Sequence, residues 1–405
     1  MIIQHKKPEL LVPAGNLEKL KIALNYGADA VYVGGHVFGL RRYAENFTLS
    51  QLEKGIHFAN ALGKYVYVVL NGFAHHSDLE ALSDHLTALE ALQPHALIIS
   101  DMGVFQLAKE KTTIPLHVST QASVTHKYAC QLWKDQGASR IILAREVSIS
   151  DCHAISDFCD IELELFIHGA MCASYSGKCT ISNYSAGRDS NRGGCIQSCR
   201  HRYDVYNQGD RLETGSTGLT LMNAKDLMGI YQLPELIQAG IASLKIEGRM
   251  KSNLYAANSA QVYRRAIDMT MDALDSGQDI APSFYDPLAA DLKKVSNRTF
   301  SSGGLEDRPG KESIHYDFDH YEKAVDYLGT VKDIQNSMMI ISVKHAFNIG
   351  DTIELMRPNH PIYSFKVMTL LNSIGEPIQK TNPNSIVKVN APSGAVTYSI
   401  LRKPL

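Results

Sequence analysis

The sequence predicts an α/β fold: a closed TIM-like (β/α)8 barrel followed by a small antiparallel β-barrel domain. Three observations carry that reading. Short, mostly apolar strand candidates alternate with amphipathic stretches from the N-terminus to about Asp275. Strands apolar on both faces belong in a parallel sheet covered on both sides. The repeated βα units also occupy close to the roughly 250 residues that a closed barrel takes. A doubly wound sheet is the alternative, but it normally carries a Gly-rich phosphate turn after its first strand, and VPAGNLEKL has a single glycine there.

Taken in order, the first strand candidate is Glu9–Pro13, followed by a helix over Asn16–Tyr26 with Leu17, Leu20, Ile22, Ala23 and Leu24 at helical spacing. Ala30–Gly34 comes next, then a helix over Thr48–Leu62 that opens with a capping threonine. Tyr65–Leu70 is the third strand, and Ser77–Leu92 is a leucine-striped helix. Ala96–Ser100, Leu116–Thr120, Arg140–Ala144 and Ile161–Ile167 continue the alternation. A helix around Leu233–Ala239, the strand Ser243–Glu247 and a long helix from Asn253 to Ala273 close it. The barrel domain is therefore expected over 1–276. Asp-, Ser-, Pro- and Gly-rich sequence over 277–320 reads as a linker with room for one short helix. From 321 to 405, YLGTVKDI, SMMIISVK, NIGDTIELM, IYSFKVMTLL and IVKVNA alternate in the manner of short antiparallel strands. That last domain holds nine Lys/Arg against six Asp/Glu, a slight basic excess compatible with RNA contact or with an ordinary solvated surface.

The bulk numbers describe an ordinary soluble protein. The hydrophobic fraction is 44%, the charged fraction 20% and the formal net charge −2, so no overall basic footprint points to nucleic acid. The N-terminus lacks the basic-then-apolar pattern of a signal peptide, and no apolar run reaches membrane-spanning length. A cytoplasmic enzyme without a membrane partner is the expected class.

In a barrel, catalytic residues lie just past the C-terminal ends of the strands. Asn71, Asp101, Ser119, Thr120, Gln121, Arg145, Glu146, His168, Glu247 and Arg249 occupy such positions. Each singly could be a helix cap or a surface turn; their recurrence at most strand ends favours a site. The loop after the seventh strand, 170–202, carries four of the seven cysteines, spaced Cys172-x6-Cys179-x15-Cys195-x3-Cys199. Four thiolates suit a tetrahedral zinc or a 4Fe-4S cluster, and the spacing alone does not separate them. A thiol nucleophile at Cys172, with His168 as its base, is a third reading. Cys130, Cys152 and Cys159 fall in helix-like stretches and read as packing residues. Lys178, Arg188, Arg192, Arg200 and Arg202 crowd the loop, with Lys245, Arg249 and Lys251 beyond it. They suit carboxylate or phosphate binding, or charge balance against Glu146, Glu164 and Glu247.

The segment Glu164-Leu-Phe-Ile-His-Gly-Ala-Met-Cys172-x4-Gly177-x-Cys179-Thr-Ile-Ser182 resembles the signature of the collagenase-like peptidase family of unassigned catalytic type, U32. ELLVPAGNLEKLKIALNYGADAVYVGG, HVSTQAS, ILAREVS, NRGGCIQSCRHRY and SLKIEGRMKS are similar to the family as well, so the resemblance spans the whole barrel. The trailing domain, with GTV, IGDTIEL and IVKV, is similar to the branch involved in tRNA hydroxylation. What this implies differs from the family's name. It points to a hydroxylation factor acting on tRNA wobble uridine with prephenate, on ribosomal RNA cytidine or on ubiquinone precursors. By the resemblance, Cys172, Cys179, Cys195 and Cys199 would hold a 4Fe-4S cluster, Cys199 being the fourth ligand by position. Catalytic roles would fall to Glu164, His168, Arg145 and Glu146. Gln121, Arg192, Arg200, Lys245, Glu247 and Arg249 would bind tRNA and a small carboxylate. A peptidase acting on collagen-like substrates and an RNA-binding scaffold with a structural zinc are the other readings. For the former, neither a Ser-His-Asp order nor an HExxH helix is visible.

Overall fold

A computed structural model describes residues 5–35, 39, 45–212, 219–316 and 321–405. The strands of the first domain are β1 (Glu9–Pro13), β2 (Ala30–Gly34), β3 (Tyr65–Leu70), β4 (Ala96–Ile99), β5 (Leu116–Val118), β6 (Arg140–Ile142) and β7 (Glu162–Ala170). After them come a small hairpin, β8 (Tyr206–Asn207) and β9 (Asp210–Arg211), then β10 (Asp226–Met228) and β11 (Ser243–Ile246). Strands β1 to β7 pair in sequence order, all parallel, and β11 closes the ring by pairing in parallel with both β7 and β1. The eight strands expected from the sequence thus form the eight staves of a TIM-like barrel. Their residues are buried almost throughout because helices cover the outside while side chains from alternate strands fill the inside.

The covering helices are α1 (Leu17–Asn25), α2 (Leu49–Ala61), α3 (Leu79–Leu92), α4 (Met102–Lys111), α5 (Lys127–Asp135) and α6 (Ile149–Ser156). Short α7 (Ile181–Ala186) lies in the cysteine loop, and α8 (Leu233–Gln238) and α9 (Asn253–Asp275) complete the ring. Their starts are chemically specified: the side chains of Asn16, Thr48, Asp101, Ser148 and Ser252 each accept an N–H from the first turn. For Asp101, one of the polar strand-end residues, the cap is therefore the role on view.

The stretch 277–320, expected as a linker, carries α10 (Asp286–Lys293) and β12 (Phe300–Ser301) in its described part. Leu288, Ala289 and Leu292 of α10 are buried, and β12 pairs with β10, which itself pairs antiparallel with the end of β7. A buried ion pair between Arg298 and Asp226, 2.9 Å, fastens this return to the barrel.

The C-terminal domain comprises β13 (Val325–Gln335), β14 (Met338–Val343), β15 (Thr352–Met356), β16 (Tyr363–Lys366), β17 (Leu370–Leu371), β18 (Ile386–Asn390) and β19 (Ile400–Pro404). They form one curled antiparallel sheet in the order β16-β15-β19-β13-β14-β18-β17. The expectation of a small closed barrel is corrected here: the sheet is an open half-barrel, with β16 and β17 as its edges. Two features explain the opening. The N–H groups of Met368 and Thr369, between the two edges, donate to the side chain of Asn390 instead of a strand. The barrel domain also covers part of the sheet, since Val325, Met356 and Ile400 belong to its apolar core. Tyr26 Oη donates to the Met356 carbonyl (2.7 Å), and Lys332 pairs with Glu18 at 2.6 Å.

Candidate functional site at the barrel mouth

The cysteine loop lies across the C-terminal end of the barrel because other strand ends hold it there. Glu146, past β6, accepts the Ser176 N–H (3.1 Å) and the Ser176 hydroxyl (3.3 Å). Thr120, past β5, donates to the Leu143 carbonyl and reaches Ser176 Oγ, while Ser123 donates to the Ser176 carbonyl. Gly177 follows with φ +76°, and a Cβ there would stand 2.0 Å from the Gln121 carbonyl oxygen. Only glycine allows that approach, so the Gly in the Cys-x4-Gly-x-Cys spacing has a steric cause.

Across the mouth the loop is held by Arg192. Its guanidinium donates to the Phe73 carbonyl (2.8 Å) and to Asp78 (2.7 and 3.3 Å), and the Asn191 carbonyl accepts the Phe73 N–H. Hydrogen bonding to Arg192 holds the Asp78 carboxyl down to about 2. The pair is therefore intact at all pH above the ordinary aspartate range and weakens only as pH falls towards 2. Arg192→Ala should lower the local opening free energy by about 1–2 kcal/mol, hence roughly tenfold faster tryptic cleavage within 172–202 at neutral pH. Unchanged cleavage would show that the loop does not depend on this pair.

The four cysteines of the loop carry no disulfide; Cys172 is exposed and Cys179, Cys195 and Cys199 are half-buried. Burial pushes the Cys199 thiol up, Arg200 opposes this, and Cys172, Cys195 and Cys179 each push it further. The four sulfurs are thus electrostatic neighbours, although among the described residues no three Cys, His, Asp or Glu side chains meet as a ready ligand group. The donor set fits a thiolate-held metal or iron–sulfur centre in its chemistry. Around it, Asn191 Nδ2 donates to the Cys179 carbonyl (3.0 Å) and Tyr203 Oη to the Ser198 carbonyl (2.6 Å).

Beneath the loop, on the barrel axis, a small cavity is lined by Tyr32, Asn71, Ser119, Gln121, Arg145, Phe166, Lys245, Glu247 and Arg249, among others. Of the residues expected to bind substrate, Gln121, Lys245, Glu247 and Arg249 therefore converge here, together with Arg145. Gly34, at the end of β2, makes room for Arg249, since a Cβ there would lie 1.9 Å from Nη1 of that guanidinium. Tyr32 Oη donates to Glu247 Oε2 at 3.2 Å. Arg145 stacks over the Phe166 ring, 4.2 Å from its centroid, and its only carboxylate neighbour among the described residues is Glu247 at 3.9 Å. Its Nε and Nη1 are buried without a hydrogen-bond partner there. A guanidinium with donors left unsatisfied beside a cavity is suited to a carboxylate or phosphate.

Other expected site residues lie elsewhere. Glu164 is fully buried inside the barrel, 2.7 Å from Lys245 Nζ and 3.4 Å from Arg140, which also pairs with Glu9 and Glu162. This is a charge network within the staves, below the mouth. His168 sits on the part of β7 that pairs with β10, packed between Tyr255 and Tyr263 of α9 and Phe300. Its Nδ1 is 3.3 Å from Tyr263 Oη. Burial pushes its imidazole down to about 4. It is therefore a packed, neutral histidine rather than a base presented to Cys172. Because the unfolded ring binds its proton near 6.5, stability should fall as pH drops from there towards 4. The slope from His168 is about 1.4 kcal/mol per pH unit, and buried His117, shifted the same way, adds to it. Urea unfolding at pH 7 and 5.5 measures this, and equal stabilities would contradict it. Arg200 reaches Gln197 and the Tyr321 hydroxyl (3.2 Å), outside the axial cavity.

Sequence reasoning missed Ser176 and Asp78, which fix the loop, and Asp226, Arg298 and Tyr321, which gather beside Arg200 and Lys251. Their pairings span 23 to more than 100 positions along the chain, and no local pattern marks them. Among the described residues no helix is long and apolar enough to cross a membrane.

Comparison with known proteins agrees with this architecture. Residues 15–315 match the model of peptidase family U32, and residues 323–402 match the peptidase family U32 C-terminal domain. The chain is 38% identical over 411 residues to tRNA hydroxylation protein P1 of Bacillus subtilis (strain 168), covering 98% of this chain and 95% of that one. It is 44% identical over 312 residues to tRNA hydroxylation protein P of Helicobacter pylori (strain J99), covering 74% and 72%. With tRNA hydroxylation protein P of Escherichia coli (strain K12) it shares 33% over 428 residues, covering 91% and 90%. The chain belongs to peptidase family U32 and is closely related to bacterial tRNA hydroxylation proteins P and P1.

Proposed function

We propose that this protein is a tRNA-modifying enzyme that takes part in 5-hydroxylation of wobble uridine, with prephenate as the small carboxylate co-substrate. The observation that carries the reading is Arg145, a buried guanidinium with two nitrogens unpartnered among the described residues, on the axis of a barrel whose relatives are named for tRNA hydroxylation. In this reading Arg145 binds a co-substrate carboxylate at the floor of the mouth, with Arg249 and Lys245 adding positive potential and Gln121 a polar contact. Glu146 positions the cysteine loop through Ser176, and the C-terminal domain contributes to holding RNA. Cys172, Cys179, Cys195 and Cys199 would hold a 4Fe-4S cluster, which when bound supplies redox or Lewis-acid capacity beside the cavity. Peptide hydrolysis has less support, since His168 is packed among aromatic rings rather than beside a nucleophile.

Two measurements bear on this. Anaerobically purified protein should be brown and contain about four iron and four sulfide per chain, as a cubane cluster requires; a colourless protein with one zinc would refute the cluster. Cells that carry the gene but are blocked in prephenate synthesis should lose hydroxyuridine in the dependent tRNA fraction. Hydroxyuridine persisting at normal levels without either prephenate or an alternative route would refute the co-substrate.

A further inference from the structure

A second, larger cavity lies beside the axial one. It encloses about 700 Å³ between the cysteine loop at 171–175 and the return segment at 301–316, with Arg145 in the wall shared with the axial cavity and exposed Cys172 in its lining. That size is ample for a nucleotide, since pockets for small ligands run to about 300–1,000 Å³. Its lining is chemically uneven. Lys225, Arg308 and Lys311 stand on it as cations, with Tyr175 and Tyr316 as aromatics. The acids in the same wall are engaged: Glu146 holds Ser176, and Asp151 caps the start of α6 at Ser148. Glu312, next to Lys311, accepts the Gly310 N–H. Both tyrosines are substantially exposed, Tyr175 at 62% and Tyr316 at 43%, although each carries a large ring.

We propose that this cleft is a binding site for single-stranded RNA: a nucleotide enters beside Cys172, its base or a neighbour stacks on Tyr175 or Tyr316, and Lys225, Arg308 and Lys311 take the flanking phosphates. Cations that track a backbone, interleaved with aromatic rings that accept any base, are the chemistry by which proteins hold unpaired strands. The position follows from the fold as well. The cleft opens on the same mouth as the axial cavity, so a base lodged in it lies next to the anion site at Arg145. The identity of the RNA as a tRNA loop rests on the proposed function; the cleft's preference for single strands does not.

The test uses the full chain and a fluorescent anticodon stem–loop RNA with a wobble uridine, titrated by anisotropy at several salt concentrations. Tyr175→Ala should weaken binding about tenfold, with Tyr175→Trp restoring it, because stacking needs a ring and not a hydroxyl. The double variant Arg308→Ala/Lys311→Ala should weaken binding further and lower the slope of log affinity against log salt by about 1.4, roughly 0.7 for each phosphate no longer neutralised. Affinities within twofold of wild type for both variants would overturn the proposal. So would a loss confined to Lys366→Ala/Lys388→Ala in the C-terminal sheet. If the cleft variants lose RNA while the wild-type protein leaves tRNA nucleosides unchanged, the proposed function fails and the binding site stands.

Discussion

Replacing Arg145 with methionine should reduce tRNA hydroxylation by about a hundred- to a thousandfold, the usual cost of deleting a preorganised charged donor from a closed site. The same substitution should leave the melting temperature unchanged or raise it. A buried cation without full compensation opposes folding, and removing it relieves that opposition. Here Nε and Nη1 have no partner among the described residues and the nearest carboxylate oxygen is 3.9 Å away. Methionine keeps an unbranched stem over the Phe166 ring, so packing is largely preserved. Activity is read as hydroxyuridine per tRNA and stability by thermal unfolding. An active Arg145→Met protein would show that the guanidinium does not bind the co-substrate. An inactive protein with a strongly lowered melting temperature would show that its role is structural.

Glu164→Ala should do the opposite and act chiefly on stability, costing about 3–5 kcal/mol, because it strands buried cations. Glu164 is 0% exposed and compensates Lys245 at 2.7 Å and Arg140 at 3.4 Å. With total stabilities of about 5–15 kcal/mol, a loss of that size leaves a marginal protein. Urea unfolding of the purified variant, or its appearance in the insoluble fraction, measures the effect. A Glu164→Ala protein as stable as wild type but inactive would return this residue to the catalytic machinery, where its place in the family signature suggested it.

The contrast between Arg145 and Glu164 shows what was legible beforehand. The barrel was legible because its strands are short, apolar and separated by capped amphipathic helices, so the period of the pattern and the order of the chain coincide. The cysteine loop's place over the mouth followed from strand order alone. The roles of single polar residues did not, since β7 presents Glu164 to the barrel interior and, beyond an irregularity in its pairing with β11, His168 to the aromatic layer of α9. Neither direction is written in the sequence. Arg192 looked like a substrate ligand and instead holds the loop through Asp78, more than a hundred residues away. The C-terminal sheet looked closed because alternation reports strands and not their closure; the cover supplied by the barrel through Val325, Met356 and Ile400 is a tertiary fact.

Whether this barrel serves hydroxylation of tRNA is decided by mass spectrometry of tRNA nucleosides from a strain lacking the gene and any paralogue. 5-Hydroxyuridine and its derivatives should disappear from tRNA and return with the wild-type gene but not with Arg145→Met. A nucleoside profile identical to that of the parent strain would contradict that role.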